Sequence, residues 1–239
     1  MKIALLGYGT MGHEVEKIAQ QRGHEIVLKI GRQNKAEILK AKELGADVAI
    51  DFSLPEIAPE LIKHCLEQDI KVVSGTTGWL ESMQEIEETC SSRKGAFLYA
   101  SNFSIGVNLF FNLSEKLAQL MLPHADYQAS MKETHHTRKK DAPSGTAISL
   151  ADIIIQEDSR YSSWKLSTEN GHAEALSIEA ERTDDVPGTH EIFYKSEIDT
   201  ISIKHEAHNR KGFALGAVIA AEWIKDKTGL FNMNDVLDL

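Results

Sequence analysis

The chain has 239 residues, 42% apolar and 26% charged, with a formal net charge of −10. That is enough apolar material for one large or two modest domains, and the acidic balance argues against nucleic acid or an anionic membrane as partner. The two cysteines, Cys65 and Cys90, lack metal spacing and lie in helix-like segments, so they read as reduced thiols of a cytoplasmic protein. The apolar run Ile3 to Leu6 is far too short for a signal peptide or a membrane span.

Residues 2–6 form a short apolar run of the kind that makes a buried parallel strand. Gly7-Tyr8-Gly9-Thr10-Met11-Gly12 follows at once and opens a helix from His13 to about Arg22. This is G-x-G-x-x-G in a strand–turn–helix setting. Gly7 permits the tight turn, Gly9 lets the backbone approach a pyrophosphate, and Gly12 lets helix and strand pack closely. The alternative is a glycine-rich turn with no ligand.

The second strand, residues 25–30, ends in Lys29-Ile30-Gly31-Arg32. A carboxylate at this strand end would hold the adenosine ribose of NAD; a cation tolerates the 2′-phosphate of NADP. With no carboxylate, the segment points to NADPH with Arg32 as the phosphate contact; a solvated loop arginine is the competing reading. A third strand spans 47–52, and Ser53-Leu54-Pro55 starts the next helix, with Pro55 in its first turn. Strands at 70–73 and 96–100 flank a helix over 80–94. Repeated β-then-α units joined by short links imply a doubly wound parallel sheet. Ser74 to Trp79 and Ser101 to Asn108 turn off two strand ends, where open α/β sheets place ligands, although ordinary turn chemistry would look the same.

A helix then runs to about Leu122, and residues 127–133 form a strand. Residues 156–171 are polar and read as a surface excursion. Beyond them the period changes. Ile178, Ala180 and Arg182 alternate, as do Ile192 and Tyr194, then Ile201 and Ile203. Three strands in sequence suggest an open, mainly antiparallel sheet in a second α+β domain, closed by Asn209-Arg210-Lys211-Gly212. Its apolar alternation needs a cover, and a subunit partner is the economical one. Phe213 to Ile224 is an alanine-rich apolar helix able to return to the first sheet.

The most informative stretch is Glu133 to Thr146, with His135-His136, the cations Arg138-Lys139-Lys140, an Asp-Ala-Pro turn, and Ser144-Gly145-Thr146 opening an apolar helix. Histidine exchanges protons near neutral pH, and a helix start attracts anions through its unpaired amides. Proton donors, fixed cations and amides within so short a segment suit a small substrate carrying carboxylates. The bland reading is a solvated basic face. His190, His205 and His208 read as structural hydrogen-bonders without a convincing metal set.

The stretch 133–147 matches E-x-H-H-x-x-K-x-D-A-P-S-G-T-A. With the opening fingerprint, Gly75-Thr76-Thr77-Gly78, Ser101-Asn102-Phe103-Ser104, Gly188-Thr189-His190-Glu191, His205-Glu206-Ala207, Phe213 to Ala217 and Thr228 to Met233, the whole chain closely resembles the 4-hydroxy-tetrahydrodipicolinate (dihydrodipicolinate) reductase family. The resemblance implies a Rossmann domain, residues 1–104 and 213–239, plus a substrate-binding domain, residues 105–212, whose sheets assemble a homotetramer. It implies reduction of a cyclic imine bearing two carboxylates in lysine and diaminopimelate biosynthesis, by NADPH or NADH and with no metal. His135 would be the proton donor and acceptor, and Lys139 the proton donor and anchor. His136, Gly145 and Thr146 would hold the carboxylates. Gly7, Tyr8, Gly9, Thr10, Met11, Gly12, Gly75, Thr76, Thr77, Ala100, Ser101, Asn102 and Phe103 match the nucleotide-binding segments.

Two positions depart from the family. Gly31 stands where many members carry an acid, which puts NADH use in doubt. Thr10 replaces an arginine, for the loss of one phosphate contact at most. Another nicotinamide-dependent amino-acid dehydrogenase is the rival enzyme reading, and the His-His-x-x-Lys stretch with Ser-Gly-Thr weighs against it. A non-catalytic nucleotide sensor would not explain that stretch.

Overall fold

The structure, a computed structural model, describes residues 1–169, 172, 174–209 and 211–239. It separates into two compact units, Met1–Ile105 with Lys211–Leu239, and Gly106–Arg210. Gly171, the expected end of the polar excursion, and Arg210, in the expected closing turn, lie outside the described residues.

The first unit holds a six-stranded, all-parallel sheet in the order β11-β5-β4-β3-β1-β2. Its strands are β1 (Lys2–Leu6), β2 (Glu25–Ile30), β3 (Val48–Asp51), β4 (Lys71–Ser74), β5 (Ala96–Tyr99) and β11 (Gly229–Phe231). Side chains alternate across a strand, so β1 feeds two cores. Ala4 and Leu6 pack with Leu61, Ile62 and Cys65 of helix α2 (Ala58–Glu67). Ile3 and Leu5 pack with Val15 and Ala19 of α1 (Thr10–Gln21) and with α6 (Lys211–Ile224). A fourth helix on this unit, α3 (Met83–Ser92), packs against α2, and α7 (Met233–Leu237) follows β11.

The alanine-rich α6 lies close to the sheet, as its small residues allow. A Cβ added at Gly216 would sit 1.7 Å from the Phe103 carbonyl oxygen. The expected helix start at Pro55 is corrected. Residues 54–57 form a turn in which the Ala58 amide donates to the Leu54 carbonyl, and α2 begins at Ala58 with Pro59, which has no amide to satisfy, in its first turn.

The second unit holds α4 (Ile105–Met121, whose first residue falls in the first unit), α5 (Gly145–Glu157) and a five-stranded sheet in the order β10-β9-β6-β8-β7. These strands are β6 (Gln128–His135), β7 (Ser163–Leu166), β8 (Ala175–Arg182), β9 (Gly188–Lys195) and β10 (Thr200–Ala207). Three expectations change here. The sheet is mixed: β9 pairs antiparallel with β6 and β10, whereas β8 pairs parallel with β6 and β7. Strands β8 and β9 are successive in the chain but not neighbours, because β6 lies between them. The polar excursion contains β7, a short edge strand. Finally, the apolar alternation is covered within the chain: Met131, Ile178, Ile192 and Tyr194 pack against Phe110 and Met121 of α4 and Leu150 and Ile154 of α5. The outer face is polar, with Lys132 bridging Glu179 and Glu181, so the alternation does not by itself require a partner.

Candidate active site

Alternation along β6 sends Ala129, Met131, Glu133 and His135 to the buried side. Glu133 is completely buried, yet its pairings are polar. One carboxylate oxygen, Oε1, accepts from the Ser144 amide at 3.2 Å and from Arg182 Nη2 at 2.9 Å. The other, Oε2, lies 2.7 Å from His135 Nδ1. Burial pushes this carboxyl up, but hydrogen bonds with His135, Ser144 and Arg182 outweigh it and hold the group down at about 2. It is therefore an anion at neutral pH.

The register explains the meeting. On β8, Arg182 is the parallel partner of His135, and on β9, His190 is the antiparallel partner of Glu133. The His190 ring stands edge-on to that of His135 at 5.1 Å, and its Nε2 shares a 3.1 Å hydrogen bond with Ser144 Oγ. Burial, reinforced by the charge of His135, pushes His190 down to about 4, so it is neutral near pH 7. Potential ligand atoms of Glu133, His135 and His190 lie within 4.8 Å of one another, with the Arg182 guanidinium already paired to the same carboxylate through Oε1.

Ser144 caps α5, its hydroxyl accepting from the Ala147 amide at 3.2 Å. Gly145 and Thr146 are the first residues of that helix, and space is open where a Gly145 side chain would stand. Lys139 Nζ donates to both oxygens of Asp141, at 2.9 and 2.7 Å. Asp141 is more than half exposed, and an exposed pair of this kind is worth under ~1 kcal/mol, so an incoming carboxylate can take the lysine over. His136 Nδ1 is buried with no hydrogen-bond partner among the described residues. The predicted set His135, His136, Lys139, Gly145 and Thr146 thus lies on β6, the loop after it and the start of α5. Sequence reasoning missed Glu133 and Arg182 as working parts, whereas His190, expected as a structural hydrogen-bonder, is one through Ser144. The available signal was that each falls in phase with the buried residues of its strand.

In the first unit, Gly7, Tyr8, Gly9 and Arg32 line a cavity of about 350 Å³, together with Ile30, Gly31, Phe52, Ser53, Leu54 and Ile57. Gly7 has φ +93°, and a Cβ there would sit 2.1 Å from the Phe52 carbonyl oxygen. A Cβ at Gly12 would sit 2.3 Å from the Gly7 carbonyl oxygen, while one at Gly9 would meet open space. Turn, close packing and backbone access therefore fall to these three glycines as the fingerprint requires. Thr10 and Met11 begin α1, whose first turn carries no acidic residue and no side-chain cap, leaving its amides suited to phosphate. These features fit a dinucleotide.

Of the other predicted nucleotide residues, Gly75, Thr76 and Phe103 pack behind the cavity wall, whereas Thr77, Ala100, Ser101 and Asn102 do not line it. A Cβ at Gly75 would strike the Phe52 ring, and Thr76 Oγ1 accepts from the Ser53 amide. Thr77 follows in the same turn, the Ala100 amide donates to the Ser74 carbonyl, and Asn102 Oδ1 accepts from the Ser104 amide. Ser101 is exposed, whereas Phe103 is buried with its ring edge-on to Phe52. Among the cations, Lys29 is engaged by Glu16 at 2.5 Å, while Arg32 lines the cavity.

The family model for the dihydrodipicolinate reductase N-terminus matches residues 1–103, and that for its C-terminus matches residues 106–237. A 4-hydroxy-tetrahydrodipicolinate reductase of Christiangramia forsetii is 49% identical over 237 residues, covering 99% of this chain and 98% of its own. The same-named protein of Rickettsia bellii is 37% identical over 229 residues, covering 95% and 90%. A dipicolinate-bound dihydrodipicolinate reductase from Paenisporosarcina sp. TG-14 shares the fold with a TM-score of 0.78 at 22% identity, covering 98% of each chain. By its sequence over essentially its full length, the chain belongs to the dihydrodipicolinate reductase family of oxidoreductases.

Proposed function

We propose that this protein reduces 4-hydroxy-tetrahydrodipicolinate to tetrahydrodipicolinate with NADPH in preference to NADH, in the cytoplasmic route to diaminopimelate and lysine. One observation carries the reading. The stretch 133–147 folds so that an imidazole stands 2.7 Å from a buried carboxylate hydrogen-bonded to the start of α5, with a lysine on the loop between. When bound, the nicotinamide supplies the hydride. The substrate's 4-hydroxyl leaves as water, which opens a conjugated double bond; reduction then drives electrons toward the ring nitrogen and the adjoining carbon, and His135 gives a proton there through Nε2, an effect typically worth ~10²–10⁴ in rate. Lys139 anchors a carboxylate and serves as a second proton donor.

His136 and the Gly145–Thr146 backbone hold the carboxylates. Charge-assisted hydrogen bonds contribute roughly 1.5–3 kcal/mol each, so four or more at the upper end are needed to reach micromolar affinity, about −8 kcal/mol, once association costs of at least ~4 kcal/mol are met. Arg32 is the proposed contact to the 2′-phosphate. No helix among the described residues is long and apolar enough to cross a membrane. A homotetramer is the proposed assembly, supported by exposed Leu109, Leu113 and Leu120 along α4.

The test feeds pyruvate and aspartate semialdehyde through the preceding synthase and follows loss of nicotinamide absorbance. Oxidation that depends on this protein supports the proposal. A rate equal to the protein-free blank, with either nucleotide, refutes it.

A further inference from the structure

Glu133 is a fully buried anion to which the proposed chemistry gives no step, although three elements converge on it. We infer that Glu133 is a positioning residue: it fixes the proton of His135 on Nδ1, so that Nε2 is the nitrogen that gives and takes protons, and it ties that imidazole to the start of α5 through the Ser144 amide. The inference rests on the reductase reading for its kinetic consequence but not for its structural one.

The geometry is specific. His135 Nδ1 stands 2.7 Å from Oε2, outside the geometry of a formed hydrogen bond; a carboxylate only accepts, so a hydrogen bond made across that distance places the proton on Nδ1. The opposite nitrogen faces Gly188, where a Cβ would stand 3.0 Å from Nε2; glycine leaves that nitrogen approachable. The charged and titratable groups around the ring are Glu133 on its own strand, Arg182 on β8, His190 on β9, with His205 on β10 beyond it, and Lys139 with Asp141 on the following loop. Arg182 faces Oε1 and His190 is held neutral, so Glu133 is the anion directly on the ring. Arg182 Nη2 and the Ser144 amide both donate to it, and His135 Nδ1 faces it at 2.7 Å.

That donor pattern makes Glu133→Gln a sharp probe. The amide oxygen will occupy the Oε1 position, because an NH2 there would oppose both Ser144 N–H and Arg182 N–H. The NH2 then faces His135 Nδ1, which can answer it only as an acceptor. The cationic imidazole is disfavoured while the tie to α5 is kept. In the reductase assay, the limb of the kcat profile that falls as pH rises should move to lower pH by at least about one unit. Near pH 7.5, kcat should fall by up to about tenfold for each unit of that shift, with KM for the imine substrate within about threefold.

A shared loss of stability and activity with the pH profile in its wild-type place would overturn the inference, as would unchanged kcat. Nitrogen NMR of His135 in the wild-type protein needs neither activity nor the variant. Titration at Nε2 with Nδ1 protonated throughout supports the assignment; a neutral form carrying its proton on Nε2 overturns it. An inactive wild type would refute the reductase reading alone and leave the NMR result standing.

Discussion

Glutamine at position 133 keeps the shape of the side chain and removes its charge, which isolates what the buried carboxylate contributes to stability. Its hydrogen bonds with His135, Ser144 and Arg182 overcome the cost of burial and hold the carboxyl at about 2, against an ordinary value of 4.5. At ~1.36 kcal/mol per tenfold change in proton affinity, that difference corresponds to about 3 kcal/mol. Breaking a buried pair by removing one partner costs ~3–5 kcal/mol by an independent route, so the magnitudes agree. The sign follows from the direction. A carboxyl depressed in the folded state stabilises in full above its unfolded value of 4.5, and the contribution is lost as pH falls toward about 2. Urea unfolding of wild type and Glu133→Gln, followed from about pH 7 to about pH 3, should therefore show a stability gap of about 3 kcal/mol that roughly halves by the acid end. A gap that stays constant with pH, or one below ~0.5 kcal/mol at neutrality, would refute the reasoning, because a surface substitution does no more than that.

His135→Ala should lower kcat by ~10²–10⁴ and change KM little; unchanged turnover in the coupled assay would reject its role as acid. Lys139→Ala should impair both kcat and KM, and an effect on KM alone would reduce the lysine to a binding residue. Arg32→Ala should lower kcat/KM for NADPH while sparing NADH, and a loss shared equally by both nucleotides would remove Arg32 from phosphate recognition. Two glycines should separate access from packing. Gly12→Ala drives a methyl onto the Gly7 carbonyl and should lower stability by about 1–3 kcal/mol in thermal unfolding, whereas Gly9→Ala meets open space and should raise KM for nucleotide at constant Tm.

The first unit was legible because each of its signals is local. The fingerprint needs only Gly7, Gly9 and Gly12 beside a five-residue apolar strand, and the structure gives each glycine a separate steric reason. The start of α2 was misplaced for the same reason in reverse. Pro55 and Pro59 both satisfy the rule for a first helical turn, and only the Ala58 amide bonding back to Leu54 decides between them. The cavity residues Phe52, Ser53 and Leu54 were not singled out, since they come together with Gly7 only once β1 and β3 are known to be neighbours.

In the second unit the composition of the site was legible and its wiring was not. A period of two tells which face a residue occupies, not which strand lies beside it. Glu133 and His135 fall in phase with Met131, Arg182 with Ile178, and His190 with Ile192 and Tyr194, so each strand carries a polar group where its pattern calls for an apolar one. A buried cation, anion and imidazole are costly apart and tolerable only together, so three such breaks in alternation imply that the strands bearing them are adjacent. That constraint selects β6 as the central strand, with β8 on one side and β9 on the other, in place of the sequential β8–β9 pairing that chain order suggests. The polar residues that make the site chemically capable are also those that specify the order of the sheet.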